Sequence, residues 1–402
     1  MKRAHCRACG NSLLEVLELG NFALTGKFPL PFEKVPYEPM GLSWCKACSL
    51  VQMHYDYDQE LFGSGYGYRS ALNQSMVAHL TQIADSVSLE EGDTVVDIGG
   101  NDGTLLKAIH VPCNKVLIDP IGIQVDGVRC IQNTFDATEY ISLIGKKAKV
   151  VFSIAMFYDL KDPVEFARQV GEILTDDGVW IFEQSYLPTM VERNAYDTIC
   201  HEHLEYYSLK SIRSILEMAG LQIVNAELND CNGGSIRITA GHVEGEVPKN
   251  IERLDAEFNE DVPGQFNALQ TRMEQLKTSL QEAIYAYGRV VGYGASTKGN
   301  TLLQFCKIRL PCIVDVNPDK FGRVTPGTGI PIVASDPSAD AYLVLPWHFR
   351  DFFIEKEAEF LRNGGHLMFP LPRVEIINAS FKRSFVLGDG KRRLNQVYAR
   401  TH

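Results

Sequence analysis

Val95-Val-Asp-Ile-Gly-Gly-Asn-Asp-Gly-Thr-Leu-Leu106 decides how the chain is read. Two valines and Ile98 flank Asp97, the pattern of a buried strand. A glycine-rich turn follows (Gly99, Gly100, Gly103), and Thr104-Leu-Leu opens a helix. Such a strand–turn–helix brings backbone N–H groups close to a ligand, because glycine has no Cβ to hold it off. The three glycines do not fit Gly-x-Gly-x-x-Gly, so the dinucleotide fingerprint is a poor match. Twenty-two residues beyond Asp97, the apolar Val116-Leu-Ile118 ends in Asp119, an acid at the tip of a second strand.

With 402 residues, 45% of them hydrophobic, the chain is long enough for two or three domains with cores of their own. Its 39 basic and 50 acidic residues leave a net charge of −11, which argues against nucleic-acid or membrane-surface binding. No stretch approaches the roughly 18 apolar residues of a membrane span, and Met-Lys-Arg leads to His5 and Cys6 with no hydrophobic signal core. A soluble cytoplasmic protein is expected; the oligomeric state is not legible.

Ten cysteines would be odd there as disulfides. Four form two tight pairs, Cys6-x-x-Cys9 and Cys45-x-x-Cys48, separated by a Pro-rich loop of 35 residues. Each pair presents two thiolates to one metal, and four thiolates complete a tetrahedral Zn²⁺ shell with no open position. A single Cys-x-x-Cys reads as a redox pair. Two pairs flanking a segment too polar to form its own core favour one structural zinc per chain, carrying folding energy rather than chemistry.

Phe62-Gly-Ser-Gly-Tyr66-Gly-Tyr68-Arg69-Ser70 precedes an amphipathic helix near Ala71–Val87. Tyr66 and Tyr68 either line a pocket with phenol donors or cover a domain seam. Strands and helices then alternate. Lys149-Val-Val-Phe152 and Gly178-Val-Trp-Ile-Phe182 are apolar runs suited to a sheet covered on both faces, and Leu221–Leu228 with Ser235–Ala240 reads as an antiparallel hairpin. After the strand ending in Glu183-Gln184 comes Tyr196-Asp-Thr-Ile-Cys-His201-Glu202-His203-Leu-Glu-Tyr206-Tyr207. Histidine is the side chain most easily poised as a base near neutral pH. The competing readings are half a metal site with no obvious third ligand, and a polar helix start with a buried histidine.

Further on, Leu269, Met273, Leu276, Leu280 and Ile284 form one stripe of a helix over roughly Phe266–Tyr287. Arg289-Val-Val-Gly-Tyr-Gly-Ala-Ser-Thr-Lys298-Gly299-Asn300-Thr301 is a second strand–glycine turn–helix. Thr297 stands where a third dinucleotide glycine would be, and Lys298-Gly299 reverses the P-loop order. A helix start carrying Ser296, Thr297 and Lys298 still suits a pyrophosphate. Cys312-Ile-Val-Asp315, Tyr342-Leu-Val-Leu345 and His366-Leu-Met-Phe369 extend a parallel pattern, whose alternative is a structural domain without ligand.

Asp97-x-Gly-x-Asn-x-Gly103 resembles the first motif of class I S-adenosylmethionine (SAM) methyltransferases, with Asn101 where many have glycine. That resemblance places Asp97, Gly99, Gly100, Asn101, Asp102 and Gly103 around SAM and Asp119 on its ribose hydroxyls. The whole chain resembles the bacterial nucleotide-sugar C-methyltransferases, which act on keto-sugars in deoxysugar biosynthesis. The matching stretches are the two cysteine pairs, Asn101-Asp-Gly103, Tyr196-Asp-Thr-Ile-x-His-Glu-His203-Leu with Tyr206-Tyr-Ser208, Gly233-Gly-Ser-x-Arg237, Gly292-Tyr-Gly-Ala-Ser-x-Lys-Gly-Asn-Thr301 and Thr325-Pro-Gly-Thr328. They run nearly end to end.

The resemblance implies an α/β chain: a class I SAM methyltransferase doubly wound sheet at 63–246, flanked by a small zinc module at 1–62 and a C-terminal Rossmann-like nucleotide-sugar domain at 247–402. It implies SAM and zinc as cofactors and a nucleotide-linked keto-sugar as substrate, methylated at carbon after deprotonation, at C3 of a 4-keto sugar. His203 is the implied base, with His201 as the alternative, and Glu202 and Tyr68 lie beside the sugar. Tyr66, Cys200, Arg237, Ser296, Lys298, Gly299 and Asn300 are the implied substrate contacts. Cys200 departs from the family's usual tyrosine, Asn232 from a histidine and His348 from an asparagine, all around the implied sugar pocket. The rival functions are an O- or N-methyltransferase on the same scaffold and a non-catalytic nucleotide-sugar-binding protein.

Overall fold

The computed structural model describes residues 2–57 and 69–378, with the backbone of two further strands, Arg383–Val386 and Arg392–Asn395. Its contacts gather into two compact units, neither continuous in sequence. The first comprises Met1–Leu14, Ser43–Thr189 and Leu204–Asp261; the second comprises Glu15–Leu42, Met190–His203 and Val262–His402.

The first unit is built on seven strands: β1 (Thr94–Ile98), β2 (Asn114–Ile118), β3 (Arg129–Ile131), β4 (Ala148–Ile154), β5 (Leu174–Ser185), β6 (Gln222–Asn229) and β7 (Ser235–Gly241). Their order is β6-β7-β5-β4-β1-β2-β3, parallel except for β7, which runs antiparallel to both β5 and β6. The apolar runs explain the burial. Val96, Val116, Val151, Trp180 and Phe182 fill one core, whereas Val95, Leu117, Val150, Phe152 and Ile181 fill another. Neighbours along each strand point to opposite faces, so both faces need a covering layer. Helices α1 (Gln74–Asp85) and α2 (Thr104–Ala108) supply Leu80, Ile83, Leu105 and Leu106 to one core. Helices α3 (Ala137–Ile144), α4 (Pro163–Ile173) and α5 (Leu209–Met218) supply Tyr140, Phe166, Val170, Ile212 and Ile215 to the other. Helix α1 starts later than expected because Asn73 caps it, its side chain accepting from the N–H groups of Ser75 and Met76.

In the second unit, α7 (Val262–Ala286) leads from α6 (Lys249–Glu260 of the first) into a sheet of β8 (Val290–Tyr293), β9 (Ile313–Val314), β10 (Ile332–Val333), β11 (Ala341–Val344), β12 (His366–Phe369), β13 (Glu375–Ile377), β14 (Arg383–Val386) and β15 (Arg392–Asn395). The order β10-β9-β8-β11-β12 is parallel, and β13, β14 and β15 extend it antiparallel. Helix α8 (Thr297–Phe305) follows β8. The Pro-rich stretch between the cysteine pairs is more than a loop: Leu14–Ala23 and Tyr37–Trp44 are hydrogen-bonded neighbouring strands. Leu17, Phe22, Ala23, Leu24, Met40 and Leu42 are buried there, an apolar content spaced too widely to stand out among prolines. No helix among the described residues is long and apolar enough to cross a membrane.

One buried carboxylate ties α5 to α6. Asp255 accepts hydrogen bonds from the N–H of Leu209 at 2.6 Å, the N–H of Lys210 at 3.1 Å and the hydroxyl of Tyr186 at 3.0 Å. It thus satisfies two of the orphan donors at the start of α5, beside the capping box of Ser208 and Ser211. Asp255→Ala is therefore expected to destabilise the protein by about 2–3 kcal/mol, read as a lowered midpoint in chemical denaturation. Ser211→Ala, which removes one arm of the capping box, is expected to cost about 1 kcal/mol.

Candidate functional site

The four cysteines expected at the metal converge in the first unit. Cys6 Sγ lies 3.5 Å from Cys48 Sγ and Cys9 Sγ 3.4 Å from Cys45 Sγ, with all four sulfurs within 4.8 Å of one another. Tetrahedral zinc with bonds of about 2.3 Å asks for sulfur separations of roughly 3.8 Å, so the set fits. Each pair sits on a tight turn, closed by Gly10 N–H to Cys6 O and by Ser49 N–H to Cys45 O. Asn11 Nδ2 also donates to Cys9 Sγ at 3.3 Å. Without a cation the thiols cannot all ionise. The hydrogen bond from Cys48 draws Cys6 down to about 5, burial pushes Cys45 up to about 11, and the bond to Cys6 drives Cys48 higher still. A dication removes that conflict.

The acidic turn lies at the carboxyl edge of the same unit's sheet. Asp119 Oδ2 accepts from Asn101 N–H at 2.8 Å and Oδ1 from Ile121 N–H at 2.8 Å, so the acid at the tip of β2 pins the turn after β1. Gly99 and Gly103 have φ of 72° and 71°, and a Cβ on Gly100 would lie 2.3 Å from Asp97 Oδ2. Glycine is therefore required there. Asp102 accepts from Ala71 N–H and from the hydroxyl of Thr104. Burial, then the charges of Asp119 and Asp102, push Asp97 up to about 7; burial raises Asp119 too, against the pull of its N–H donors and Arg69. Three crowded carboxylates suit a ligand that brings cationic groups and ribose hydroxyls. SAM has both.

The second nucleotide-type turn repeats this device with the opposite charge balance. Asp315, after β9, accepts from Ala295 N–H at 2.7 Å, as Asp119 accepts from Asn101. Here Lys320 stands 3.8 Å from Asp315 Oδ2 and donates to Ala295 O at 2.7 Å. Ser296 caps α8, its hydroxyl accepting from Gly299 N–H at 3.0 Å. A Cβ on Gly299 would sit 3.0 Å from Leu345, so that residue serves close packing. Lys298, half-buried, acts electrostatically on Asp197, His203 and His348. Asn300 points elsewhere: its Nδ2 donates to Thr25 O at 2.7 Å.

The His-Glu-His stretch also belongs to the second unit, as a loop rather than a helix start. The two histidines are held in opposite tautomers. His203 Nδ1 lies 2.8 Å from Thr198 O, which can only accept, so the proton is on Nδ1 and the lone pair on Nε2. His201 Nδ1 accepts from Thr25 N–H at 3.3 Å, so its proton is on Nε2, toward Glu38 O. Burial takes His201 down to about 4; burial and then the charge of Lys298 take His203 to about 3, and both rings stay neutral at physiological pH. His201 has no exposed surface, while His203 is half-buried. Glu202 is buried, its Oε2 accepting from Thr25 Oγ1 at 3.0 Å, and burial raises its carboxyl. Cys200 is sealed with its thiol on Glu202. Asp197 accepts from Trp347 Nε1 at 2.8 Å.

Tyr66 and Tyr68 lie outside the described residues. Arg237 is bound up in the first unit: its Nε donates to Glu183 Oε2 at 2.9 Å, beside Asn229 Nδ2 at 2.8 Å, while His79 Nε2 meets Oε1 at 2.5 Å. Burial opposes charge on His79, yet Cys231 and Glu183 outweigh it and hold the imidazole up at about 9. Neither this cluster nor Thr25 and Gly26 is announced by the sequence. Only Arg237 carried a motif, and nothing in Leu24-Thr25-Gly26 announces a partner some 176 residues away.

A doubly wound sheet with an acidic glycine turn, joined to a tetrathiol zinc site, defines a class I SAM-dependent methyltransferase with a structural metal. Family models agree: a zinc binding domain matches residues 6–62, a methyltransferase domain 68–226 and a C-methyltransferase C-terminal domain 230–372. C-methyltransferase NovU from Streptomyces niveus is 30% identical over 406 residues, covering 93% of this chain and 97% of NovU. The chain belongs to the NovU-like C-methyltransferase family, and it is a SAM-dependent C-methyltransferase acting on a small molecule. Among solved structures it is similar to mitomycin 7-O-methyltransferase MmcR (16% identity, TM-score 0.34, 43% of this chain and 56% of that one). It is also similar to S-adenosylhomocysteine-bound CalO1, a methyltransferase in calicheamicin biosynthesis (14%, TM-score 0.34, 42% and 54%). It thus spans about half the length of each.

Metal analysis of protein purified without chelator is expected to give about one zinc per chain, and Cys9→Ser to lose most of it. A second expectation follows from His201. Its folded pKa of about 4 lies below the ordinary 6.5, so below pH 6.5 the unfolded chain takes up a proton that the folded chain refuses. Stability from this group is full above pH 6.5 and falls by roughly 3 kcal/mol on going to pH 4. His201→Asn is expected to flatten that part of the denaturation midpoint against pH.

Proposed function

We propose that the methyl acceptor is a nucleotide-linked keto-deoxysugar, deprotonated beside its ketone, at C3 of a 4-keto sugar, and methylated at that carbon. SAM, when bound, supplies an electrophilic methyl on its sulfonium. A carbon acceptor must first be made nucleophilic, which takes a base at the C–H bond and hydrogen-bond donors at the growing enolate oxygen. The observation that carries this reading is the tautomer of His203. Its Nδ1–H is anchored on Thr198 O, its Nε2 carries the lone pair, and burial keeps the ring neutral, which is the state a general base requires. His201, sealed and protonated on Nε2, serves instead to hold its own loop.

Asp97, the Gly99–Gly103 turn and Asp119 hold the SAM, with Asp119 accepting from the ribose hydroxyls. Ser296, Lys298 and Gly299 hold the nucleotide diphosphate, where Lys320 already balances Asp315 and Lys298 adds positive charge for the phosphates. Glu202 lies beside the sugar, with Tyr66 and Tyr68 as further substrate contacts; Cys200 is sealed on Glu202, and Arg237 and Asn300 are engaged by Glu183 and Thr25 instead. Three modules, 1–62, 63–246 and 247–402, carry zinc, SAM and nucleotide sugar, though Glu15–Leu42 and Met190–His203 fold in with the last. Four reduced thiols around zinc suit the cytoplasm.

His203→Ala is expected to bind SAM and nucleotide keto-sugar within about threefold of wild type, yet to lose at least ~100-fold in kcat. An equally weakened KM with kcat intact would make His203 a binding residue. In calorimetric titrations, Asp119→Ala is expected to weaken SAM and spare the nucleotide sugar, and Lys298→Ala the reverse. The opposite pattern would exchange the two ligands.

A further inference from the structure

Thr25 is fully buried, and every polar atom it owns is engaged. Its N–H donates to His201 Nδ1 at 3.3 Å, its carbonyl accepts from Asn300 Nδ2 at 2.7 Å, its Oγ1 accepts from His201 N–H at 3.2 Å, and its hydroxyl donates to Glu202 Oε2 at 3.0 Å. The next residue is just as constrained. A Cβ on Gly26 would lie 1.9 Å from Glu202 Oε1, so only glycine leaves that carboxylate where it is. The segment is fixed from the other side as well: Gln304 Oε1 accepts from Ala23 N–H at 2.8 Å and its Nε2 donates to Ala23 O at 3.1 Å. Leu24-Thr25-Gly26 therefore joins the His201–Glu202 loop to α8, all within the second unit.

We propose that Thr25 and Gly26, which lie between the two zinc-binding cysteine pairs, are positioning residues for methyl transfer: they set the orientation and ionisation of Glu202 and the tautomer of His201. This rests on the reading of the His-Glu-His loop as the acceptor site. The direction of the effect follows from chemistry. A buried carboxyl resists ionisation, and a hydroxyl that donates to the carboxylate favours the charged form. Thr25 thus opposes burial at Glu202. The backbone N–H of Thr25 fixes the tautomer of His201, and Asn300 holds that N–H in place through the Thr25 carbonyl.

The test compares Thr25→Val, which keeps the shape and removes the hydroxyl, with Thr25→Ser, which keeps the hydroxyl. In the full-length zinc-loaded enzyme, Thr25→Val is expected to lower kcat by about tenfold with KM for the nucleotide keto-sugar within about twofold. The Glu202 limb of its pH profile moves upward by about one unit, and Thr25→Ser restores both. Infrared spectroscopy of the Glu202 carboxyl, assigned by Glu202→Gln, reads the same shift with no substrate present. That separates two failures. If wild type methylates no nucleotide keto-sugar, the substrate reading is wrong, while the infrared titration still reports on Thr25. If Thr25→Val leaves the Glu202 band and its titration unchanged, or if Ser and Val are equally impaired in folded protein, the positioning role is overturned. Gly26→Ala, checked for folding by circular dichroism and its denaturation midpoint, is expected to shift the Glu202 band as well, and an unchanged band would likewise overturn the role.

Discussion

Each nucleotide-type turn in this chain is shaped by one carboxylate at the tip of a second strand. Asp119 accepts the N–H of Asn101, and Asp315 accepts the N–H of Ala295. In both places the acid satisfies a backbone donor that a tight turn would leave without a helical partner, so it fixes the turn before any ligand arrives. What surrounds the acid then determines what the turn can hold. Around Asp119 stand Asp97 and Asp102, and burial, then the charges of Asp119 and Asp102, hold Asp97 up at about 7, a balance that favours a ligand carrying positive charge. Around Asp315 an ammonium group is already present in Lys320, and α8 opens nearby with Lys298 in its first turn. One scaffold, used twice, has opposite electrostatic preferences.

The same economy of hydrogen bonds separates the two histidines. Imidazole has two nitrogens and, when neutral, one proton, so whichever nitrogen meets a carbonyl must carry it. Thr198 O takes the proton of His203 on Nδ1, and Thr25 N–H leaves His201 with its proton on Nε2. Two histidines two positions apart in a dense polar motif thus have different capacities. The choice between them is made by backbone groups rather than by the motif itself.

Much of the fold was legible in the sequence because it depends on local pattern. The runs at Val95–Ile98, Lys149–Phe152 and Gly178–Phe182 are strands because apolar residues on both faces demand cover on both, and the hairpin Gln222–Gly241 follows from its turn residues. The four zinc thiols were legible because spacing alone brings each pair to one metal. Asp119 was legible from its place after an apolar run. The rest depended on long-range pairing. Nothing local tells that the stretch between the cysteine pairs carries two strands, or that Thr25 meets Glu202 across 177 positions. The seat of Asn300 on Thr25 O, and that of Arg237 on Glu183, likewise exist only once the chain has folded.

Proton removal before methyl transfer is measured most directly by exchange at the acceptor carbon. Wild-type enzyme is given the nucleotide keto-sugar and a SAM analogue that cannot transfer its methyl, in D₂O, and the carbon beside the ketone is followed by NMR. Deuterium entering that position with wild-type enzyme, and failing to enter with His203→Ala, is the result required of a C-methyltransferase whose base is His203. Equal exchange with both proteins would contradict it and move the proton transfer to another group.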